Sequence, residues 1–232
     1  MKIVCVGYRK WALEIYERLK IFYGSSHNII IVDKSKYSES FLIEENPDMV
    51  LFYGWSWKIS APIIKKYRCL MLHPSPLPKY RGGSPIQNQI INGETESAVT
   101  IIEMTNELDA GDILAQESMS LDGNIKDILK RITRVGTRLT KRIVSGTITR
   151  RKQDETEATF YNRRKEKDNE ITVREILNQD SQYLYNKIRM LGDPYPCAYI
   201  MTVDGKKLLI KDVSIQQLVK ATSFNFNTLF KL

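Results

Sequence analysis

The sequence predicts an α/β protein whose doubly wound, mostly parallel β-sheet is followed by a small C-terminal subdomain of a helix and a β-hairpin. Short β-branched apolar runs alternate with segments of helical spacing through the first half of the chain. These runs are apolar almost throughout, as expected for strands that are covered on both faces. Near the chain's end, Asp204 and Gly205 stand between two strand-like runs, a strong hairpin signal.

The predicted elements of the first half follow in chain order. Strands are predicted over 2–8, 27–33, 48–54, 68–74, 97–104 and 112–121. Helices are predicted over 9–24, 58–67 and 84–93. In the first helix the apolar positions are Trp11, Ala12, Ile15, Leu19 and Phe22. In the third, Ser84 is the expected N-cap, Pro85 takes the first helical position and Gly93 ends the helix.

A longer amphipathic helix is predicted between Asn124, its expected N-cap, and Gly146, its stop. Its expected buried stripe is Ile125, Ile128, Leu129, Ile132, Val135, Leu139 and Ile143. Its other side carries basic residues at four-residue steps: Lys126, Lys130, Arg134 and Arg138. A solvated basic face is one interpretation of this pattern, and an anion-binding face is the other.

We expect two units, residues 1–150 with the sheet and residues 151–232 with a connector and the small subdomain. Residues 149–170 mix seven basic with six acidic side chains and few apolar ones, which is typical of an exposed connector. A helix is predicted over 181–191, before the hairpin. From about residue 215 the chain lacks a clear period.

Composition narrows the class of protein. The cysteines Cys5, Cys69 and Cys197 are odd in number and far apart, so we expect reduced thiols, mostly in core strands. The net charge of +8 fits a nucleic-acid partner, an anionic small substrate or a basic surface alone. No apolar run approaches the roughly 20 residues that span a bilayer, and we expect a cytoplasmic protein.

The candidate functional residues begin with His73, one of two histidines in the chain. It follows a predicted strand, at the edge where open α/β sheets bind ligands. A lone histidine is more often structural than catalytic, so its role depends on its neighbours. Asp109 and Asp112 flank Ala-Gly before another strand, and a carboxylate beside an imidazole favours the protonated ring that proton transfer needs. An ordinary Asp-Gly turn is the alternative for that segment.

Glycines indicate where backbone comes close to other groups. Gly82 and Gly83 lead into the helix at 84–93 and would let the backbone pass close to a ligand. After the first strand, VGYRKW offers only Gly7, and neither GxGxxG nor GxxxxGK[ST] occurs. Neither NAD nor ATP is therefore indicated.

Residues 72–114 resemble the signature block of the folate-dependent formyltransferases. The shared segments, in order, are HPSxLP, RG, PIQ, NGE, VTI and LDAGDI. The resemblance implies a Rossmann-like formyltransferase fold and formyl transfer from N10-formyltetrahydrofolate to an amine, without a metal. It also implies that His73 moves protons between the attacking amine and the leaving N10 nitrogen, that Asp109 holds the imidazole, and that Asp112 is structural.

One position departs from the family pattern. The family has an asparagine two residues before the histidine, where it helps stabilise the developing oxyanion, and this chain has Met71. A thioether cannot donate a hydrogen bond, and loss of one oxyanion donor typically lowers the rate by ~10²–10³-fold. Either protonated His73, a backbone N–H or water replaces it, or the protein is slow or inactive.

The resemblance also implies where folate binds, at the end of the third strand and in the loop before the catalytic aspartate. The matching positions are Gly54, Trp55, Ser56, Trp57, Thr105, Asn106, Glu107 and Leu108. Ordinary core aromatics are the alternative for Trp55 and Trp57.

The segment after the connector most resembles the small sugar-nucleotide N-formyltransferases, because residues 159–171 and 186–200 are similar to their RRxxxD and IRAxxxPYPGA segments. It is also short for the tRNA enzymes. This resemblance implies a dTDP-linked amino-dideoxy sugar as acceptor, such as dTDP-4-amino-4,6-dideoxyglucose for O-antigen lipopolysaccharide. It further implies a homodimer, with no nucleic acid or membrane as partner.

A diphosphate favours arginine, and a nucleobase favours an aromatic face. The candidate sugar-nucleotide contacts are therefore Tyr161, Arg163, Arg164, Arg189 and Tyr195. Solvated charges and packed tyrosines are the alternatives for these residues. Two other functions stay open: formylation of methionyl-tRNA or glycinamide ribonucleotide, and binding of folate or a sugar nucleotide without turnover.

Overall fold

The computed structural model describes residues 1–216 and builds them around ten strands. The strands are β1 (Lys2–Val6), β2 (Asn28–Val32), β3 (Met49–Tyr53), β4 (Cys69–His73), β5 (Arg81–Gly82), β6 (Glu96–Glu103), β7 (Ile113–Ser120), β8 (Phe160–Tyr161), β9 (Ala198–Met201) and β10 (Lys207–Ile210). Six of them form the main sheet, in the order β2-β1-β3-β4-β6-β7. The six strands predicted for the sheet are these six, so that prediction is confirmed.

The sheet is mostly parallel, as predicted. Strands β2, β1, β3 and β4 run parallel, whereas β6 is antiparallel to β4 and β7 is antiparallel to β6. From β1 the chain first adds β2 on one side and then β3 on the other, which is the doubly wound arrangement. His73 ends β4 and therefore lies at the carboxyl edge of the parallel strands.

Seven α-helices connect or cover these strands. They are α1 (Lys10–Tyr23), α2 (Glu39–Glu45), α3 (Ala61–Lys66), α4 (Pro85–Ile91), α5 (Ile125–Val144), α6 (Val173–Asn178) and α7 (Ser181–Arg189). Sequence reasoning missed α6, because Val173 and Leu177 are exposed and the helix has no buried stripe. Its available signal was the capping box in which Thr172 and Glu175 exchange hydrogen bonds.

Helices α1 and α5 share the larger apolar core with one face of the sheet. Ile15 and Leu19 of α1 are buried there as predicted, but Phe22 is 58% exposed. Tyr16 is buried instead, and its hydroxyl lies 3.0 Å from the carbonyls of both Val6 and Leu51. A phenol ring can enter the core because its hydroxyl finds these partners.

Helix α5 has the predicted cap, stripe and solvent face. Asn124 accepts hydrogen bonds from the N–H groups of Lys126 and Asp127, and Gly146 follows the helix with φ of +83°. The four basic residues predicted on its outer side are all exposed. Lys130 pairs with Asp127 and Arg138 with Glu117, which favours the solvated interpretation.

Helix α4 begins differently from the prediction. Ser84 occupies the N-cap position, but its backbone is left-handed at φ +49° and its side chain does not cap the helix. The Ser84 Oγ instead accepts a hydrogen bond from the Arg164 N–H, at 3.2 Å. This contact ties the start of α4 to the connector.

The predicted hairpin is confirmed, with β9 and β10 antiparallel around Gly205 at φ +75°. The connector is exposed for most of its length, but Gln153 and Asn169 are buried. Its strand β8 pairs with β5, so the connector is attached to the first unit. The division at residue 150 stays a prediction. The part of the aperiodic tail beyond residue 216 lies outside the described residues.

The structure agrees with the expected state of the three cysteines. Cys5 and Cys69 are buried, Cys197 is half-buried, and all three are free thiols, as expected. Burial raises the pKa of the Cys69 thiol to about 12. No helix in residues 1–216 is both long and apolar enough to cross a membrane.

We predict that Glu175→Gln destabilises the C-terminal part by about 2–3 kcal/mol. Lys187 is 4% exposed, and its ammonium contacts the Glu175 carboxylate and the Glu170 carbonyl. Burial opposes ionisation of Glu175, but Lys187 and Thr172 outweigh it and leave its pKa below the ordinary 4.5. Because the folded pKa is lowered, the contribution is complete above pH 4.5 and disappears as the pH falls through the folded value.

Urea unfolding followed by circular dichroism at pH 7 measures this loss. The control is Glu14→Gln, which removes the exposed pair with Arg18 and should change the free energy of unfolding by less than about 0.5 kcal/mol. Equal effects of the two variants would contradict the prediction.

Candidate functional site

His73 is held at the strand end by a hydrogen bond to the backbone. Its Nε2 lies 2.8 Å from the carbonyl oxygen of Tyr80, and the residue is 5% exposed. A carbonyl can only accept, so Nε2 must carry a proton and donate it. Nδ1 is therefore the nitrogen that can gain or lose a proton at this site.

Asp109 faces that nitrogen, as the sequence predicted. Its Oδ2 lies 3.6 Å from Nδ1 of His73, and both side chains are almost completely buried. The same oxygen accepts a hydrogen bond of 2.7 Å from the Gly82 N–H. The separation from Nδ1 is longer than a hydrogen bond, so the two groups are adjacent without being bonded. The role of this pair in proton transfer stays a prediction.

Asp112 contacts Arg150 and not His73. Its Oδ2 is 3.4 Å from Nη1 of Arg150, near the surface. The structural role expected for Asp112 therefore fits its contacts.

The three prolines after His73 lie in a loop whose carbonyls are bound by side chains. Gln89 donates to Pro74, Thr100 to Ser75 and Gln116 to Leu77, at 3.0, 2.6 and 3.0 Å. Proline provides no backbone N–H, so this loop cannot form a regular ladder. Side-chain donors satisfy its carbonyls instead, and they fix the direction of the chain that follows His73.

The glycine pair makes room for the connector rather than for a ligand. A Cβ on Gly82 would lie 2.3 Å from the Tyr161 carbonyl oxygen, and one on Gly83 would lie 2.4 Å from the Arg163 Cα. Gly82 also has φ of +95°, a conformation that L side chains rarely adopt. The expected close backbone approach is real, but its partner is residues 161–163.

Met71 lies two residues before His73 on the same strand, and therefore on the same face of the sheet. It packs against Leu77, Ile102 and Ile113, an apolar cluster without a hydrogen-bond donor on its side chains. The Nε2–H of His73 is bound to the Tyr80 carbonyl, so it is not available to a substrate. Of the His73 donors, only an Nδ1–H can therefore replace the family's asparagine.

The segments expected to bind folate border one common apolar cluster. Met104, just before residues 105–108, packs in the same apolar cluster as Trp55. Trp55 contacts Phe52 within that cluster, which supports the core interpretation for this ring. Trp57 is 43% exposed and Leu108 65% exposed, so both offer apolar surface to a ligand.

The remaining folate candidates lie beside these residues. Gly54 follows β3 with φ of +61°, and the Ser56 hydroxyl is 2.8 Å from the Tyr8 hydroxyl. Thr105, Asn106 and Glu107 are exposed. Their folate contacts stay predictions.

The candidates for sugar-nucleotide binding separate into two groups. Arg189 donates to the carbonyls of Leu121 and Gly123 at 2.6 and 2.9 Å, and burial lowers the pKa of its guanidinium. Arg164 is half-buried and donates to the Asp168 carbonyl at 2.7 Å. These contacts favour structural roles for both arginines.

The other three candidates are Tyr161, Arg163 and Tyr195. Tyr161 stacks on Tyr80, with ring centroids 4.8 Å apart, and Arg163 is exposed beside Gly83. The Tyr195 ring lies 5.4 Å from the Arg9 guanidinium carbon. Tyr161 and Arg163 are the two candidates that the structure places next to the glycine pair.

Sequence reasoning missed a polar network behind Asp109, in which Arg81 and Gln153 are buried and Glu155 is exposed. Two of these residues lie in a segment whose charge mixture indicates exposure. The only available signal was Arg81, in the RG segment shared with the formyltransferases.

Comparisons with known proteins identify the domain that contains this site. Residues 34–145 match the formyl transferase family model. Methionyl-tRNA formyltransferase of Lysinibacillus sphaericus is 34% identical over 187 residues, which cover 76% of this chain and 58% of that relative. The chain thus spans less than two thirds of the length of this curated relative.

Two solved structures show the same fold. Methionyl-tRNA formyltransferase from Clostridium thermocellum superposes with a TM-score of 0.80 at 28% identity, over 90% of this chain and 97% of that one. WlaRD, a sugar 3N-formyl transferase solved in the presence of dTDP and 5-N-formyl-THF, gives 0.65 at 20% identity, over 86% of this chain and 82% of that one. Residues 34–145 are therefore similar to formyl transferases, and both His73 and Asp109 lie in this matched part.

Proposed function

We propose that this chain transfers a formyl group from N10-formyltetrahydrofolate to a primary amine. The observation that carries the proposal is the buried pair of His73 Nδ1 and Asp109 Oδ2, 3.6 Å apart at the carboxyl edge of a formyl transferase domain. Nδ1 is the only ring nitrogen without a carbonyl partner, so proton exchange with a substrate would occur there.

In the proposed reaction the amine lone pair attacks the formyl carbon, and a new C–N bond forms as the carbonyl becomes an oxyanion. The amine then loses a proton to the His73 and Asp109 pair, and the N10 nitrogen leaves with a proton as its bond to carbon breaks. A protonated Nδ1 can donate to the oxyanion and then to N10. Asp109 stabilises that protonated ring by its charge.

The residues present fit a folate at the expected position. Trp57 and Leu108 expose apolar side chains suited to an aromatic ring system. The backbone at Gly54 and at residues 105–108 can supply hydrogen bonds to it. When bound, N10-formyltetrahydrofolate would supply the formyl carbon that the amine attacks.

Methionyl-tRNA is the acceptor with more support from relatives. The matched proteins at 34% and 28% identity both carry that name, whereas the sugar enzyme is 20% identical. The net charge of +8 also suits a polyanion. Methionyl-tRNA as the acceptor would contradict the expectation that no nucleic acid is a partner. Chain length does not separate the two acceptors, since 97% of one solved chain with that name is covered but only 58% of the curated relative.

A dTDP-linked amino sugar is the second candidate acceptor. The supporting observation is that Tyr161 lies beside Gly82, whose N–H binds Asp109, and that the exposed Arg163 lies beside Gly83. This pair could bind a base and a diphosphate close to the reacting centre. A role in O-antigen synthesis, a cytoplasmic location and a homodimer belong to this proposal. Met201, Val203, Leu208 and Leu209, exposed on the hairpin, support the dimer.

An acceptor panel tests the proposed function. The protein is incubated with N10-formyltetrahydrofolate and, separately, methionyl-tRNA, dTDP-4-amino-4,6-dideoxyglucose or glycinamide ribonucleotide. We expect mass spectrometry to detect a formylated product with one of them, and activity on tRNA to fall steeply with added salt. Absence of product with every amine would contradict formyl transfer.

We predict that His73→Ala lowers kcat/KM by ~10²–10⁴-fold, because the group that exchanges protons is removed. Far-ultraviolet circular dichroism should show an unchanged fold. The matched control is His27→Ala, since the His27 side chain hydrogen-bonds, among the described residues, only to Ser26 through Nδ1. A fully active His73→Ala enzyme would refute the role of the imidazole.

We predict that Met71→Asn raises kcat by ~10–10²-fold, because an amide N–H would face the oxyanion from the family's position. Met71→Leu is the control, since it changes shape without adding a donor and should give no gain. Single-turnover kinetics separate the chemical step from product release. If Met71→Asn gives no gain, the site already has a sufficient donor, and protonated Nδ1 is the candidate.

A further inference from the structure

The buried amide of Gln153 spans the backbone of the Asp109 loop. Its Nε2 donates to the carbonyl oxygens of both Asp109 and Gly111, at 2.8 Å each. Gln153 is 9% exposed, so water competes little for these bonds. One side chain from the connector therefore holds both ends of the turn that carries Asp109.

Arg81 sets the orientation of that amide. Its Nε and Nη2 lie 3.1 and 2.8 Å from Oε1 of Gln153. A guanidinium can only donate, so the amide oxygen must face Arg81 and the two amide hydrogens must face the two carbonyls. Arg81 is itself 1% exposed, and Glu155 binds its Nη1 and Nη2 at 2.8 and 2.7 Å.

The held turn is one that an aspartate does not adopt readily. Asp109 has φ of +55°, in the left-handed region that L residues other than glycine, asparagine and aspartate seldom enter. Such a conformation persists where the surroundings fix it. One of the two bonds from Gln153 fixes its carbonyl, and the Gly82 N–H fixes its carboxylate.

Three consecutive residues thus hold the reacting pair. The Tyr80 carbonyl binds Nε2 of His73, Arg81 orients Gln153, and the Gly82 N–H binds Oδ2 of Asp109. This segment is in turn fixed by the connector, because the Arg81 N–H donates to the Thr159 carbonyl at 2.8 Å. The distance between the imidazole and the carboxylate is therefore set by residues 153–161.

We propose that Gln153 and Arg81 are positioning residues that hold Asp109 opposite Nδ1 of His73. The inference rests on the proposed function for its effect on turnover, but the positioning itself is a property of the free protein. Neither side chain touches a reacting atom. Each acts through Asp109.

Nuclear magnetic resonance of the ring nitrogens tests the positioning without any substrate. The chain has only two histidines, so ¹⁵N-imidazole spectra contain few signals. The variants are Gln153→Glu, which turns a carboxylate toward two carbonyls, and Gln153→Met, which removes both donors without adding charge. We expect the His73 Nδ1 shift in both to move toward its value in Asp109→Asn at the same pH.

Asn169→Ala is the matched control, because Asn169 is a second buried amide of the connector and does not contact Asp109. It should lower the melting temperature and leave the His73 shifts in place. If Gln153→Glu does not fold, Gln153→Met carries the test. Folded Gln153 variants with wild-type His73 shifts would overturn the proposal.

Turnover gives the second readout. With the acceptor found in the panel, we expect kcat of Gln153→Met to fall by ~10–10²-fold while KM for both substrates changes less than about threefold, because misplacement of a catalytic group affects the transition state. A larger effect on KM than on kcat would overturn positioning. Absence of wild-type turnover would contradict the proposed function only, since the spectra still report on Asp109.

Discussion

The hydrogen bond from His73 Nε2 to the Tyr80 carbonyl is the constraint on which the site depends. It decides which ring nitrogen is free, and it directs that nitrogen toward Asp109. The bond forms because the proline-rich loop brings Tyr80 back to the strand end. Side chains there donate hydrogen bonds to the carbonyls of this loop. A flexible loop at this position would leave the tautomer and the direction of the ring undefined.

The same constraint makes the connector part of the active unit. Strand β5 exists only through its pairing with β8, and the glycines of β5 and its neighbour are required by the close approach of residues 161–163. Arg81 can be buried because Gln153 and Glu155 supply acceptors to its guanidinium. The segment after residue 150 therefore completes the site that begins at the strand ends of the sheet. The chemistry proposed for this site depends on the sheet and on the connector.

How much of the structure the sequence predicts depends on whether the interacting residues are close together in the chain. The strands were predicted because burial on both faces leaves continuous apolar runs in the local sequence, and the helices because one buried face imposes a period of 3.6 residues. His73 and Asp109 were found through a shared motif, which preserves residues that are distant in the chain. Gln153 was missed because a polar residue among charges indicates solvent, and its burial depends on Arg81, a residue far away in sequence. Burial that depends on one distant partner leaves no periodic pattern in the local sequence.

Met71 makes this positioning more demanding here than in a site that has the asparagine. Met71 packs among Leu77, Ile102 and Ile113, so this wall offers an oxyanion no hydrogen bond from a side chain. In the proposed reaction the oxyanion charge would then be met mainly by a proton on Nδ1, which Asp109, 3.6 Å away, would stabilise. Coulomb energy between a buried ring and a carboxylate changes with their separation, and the low dielectric enlarges the change. In a site with the asparagine, this second donor would compensate for a displacement of Asp109. In the proposed reaction of this chain, the same displacement would act on the whole electrostatic stabilisation.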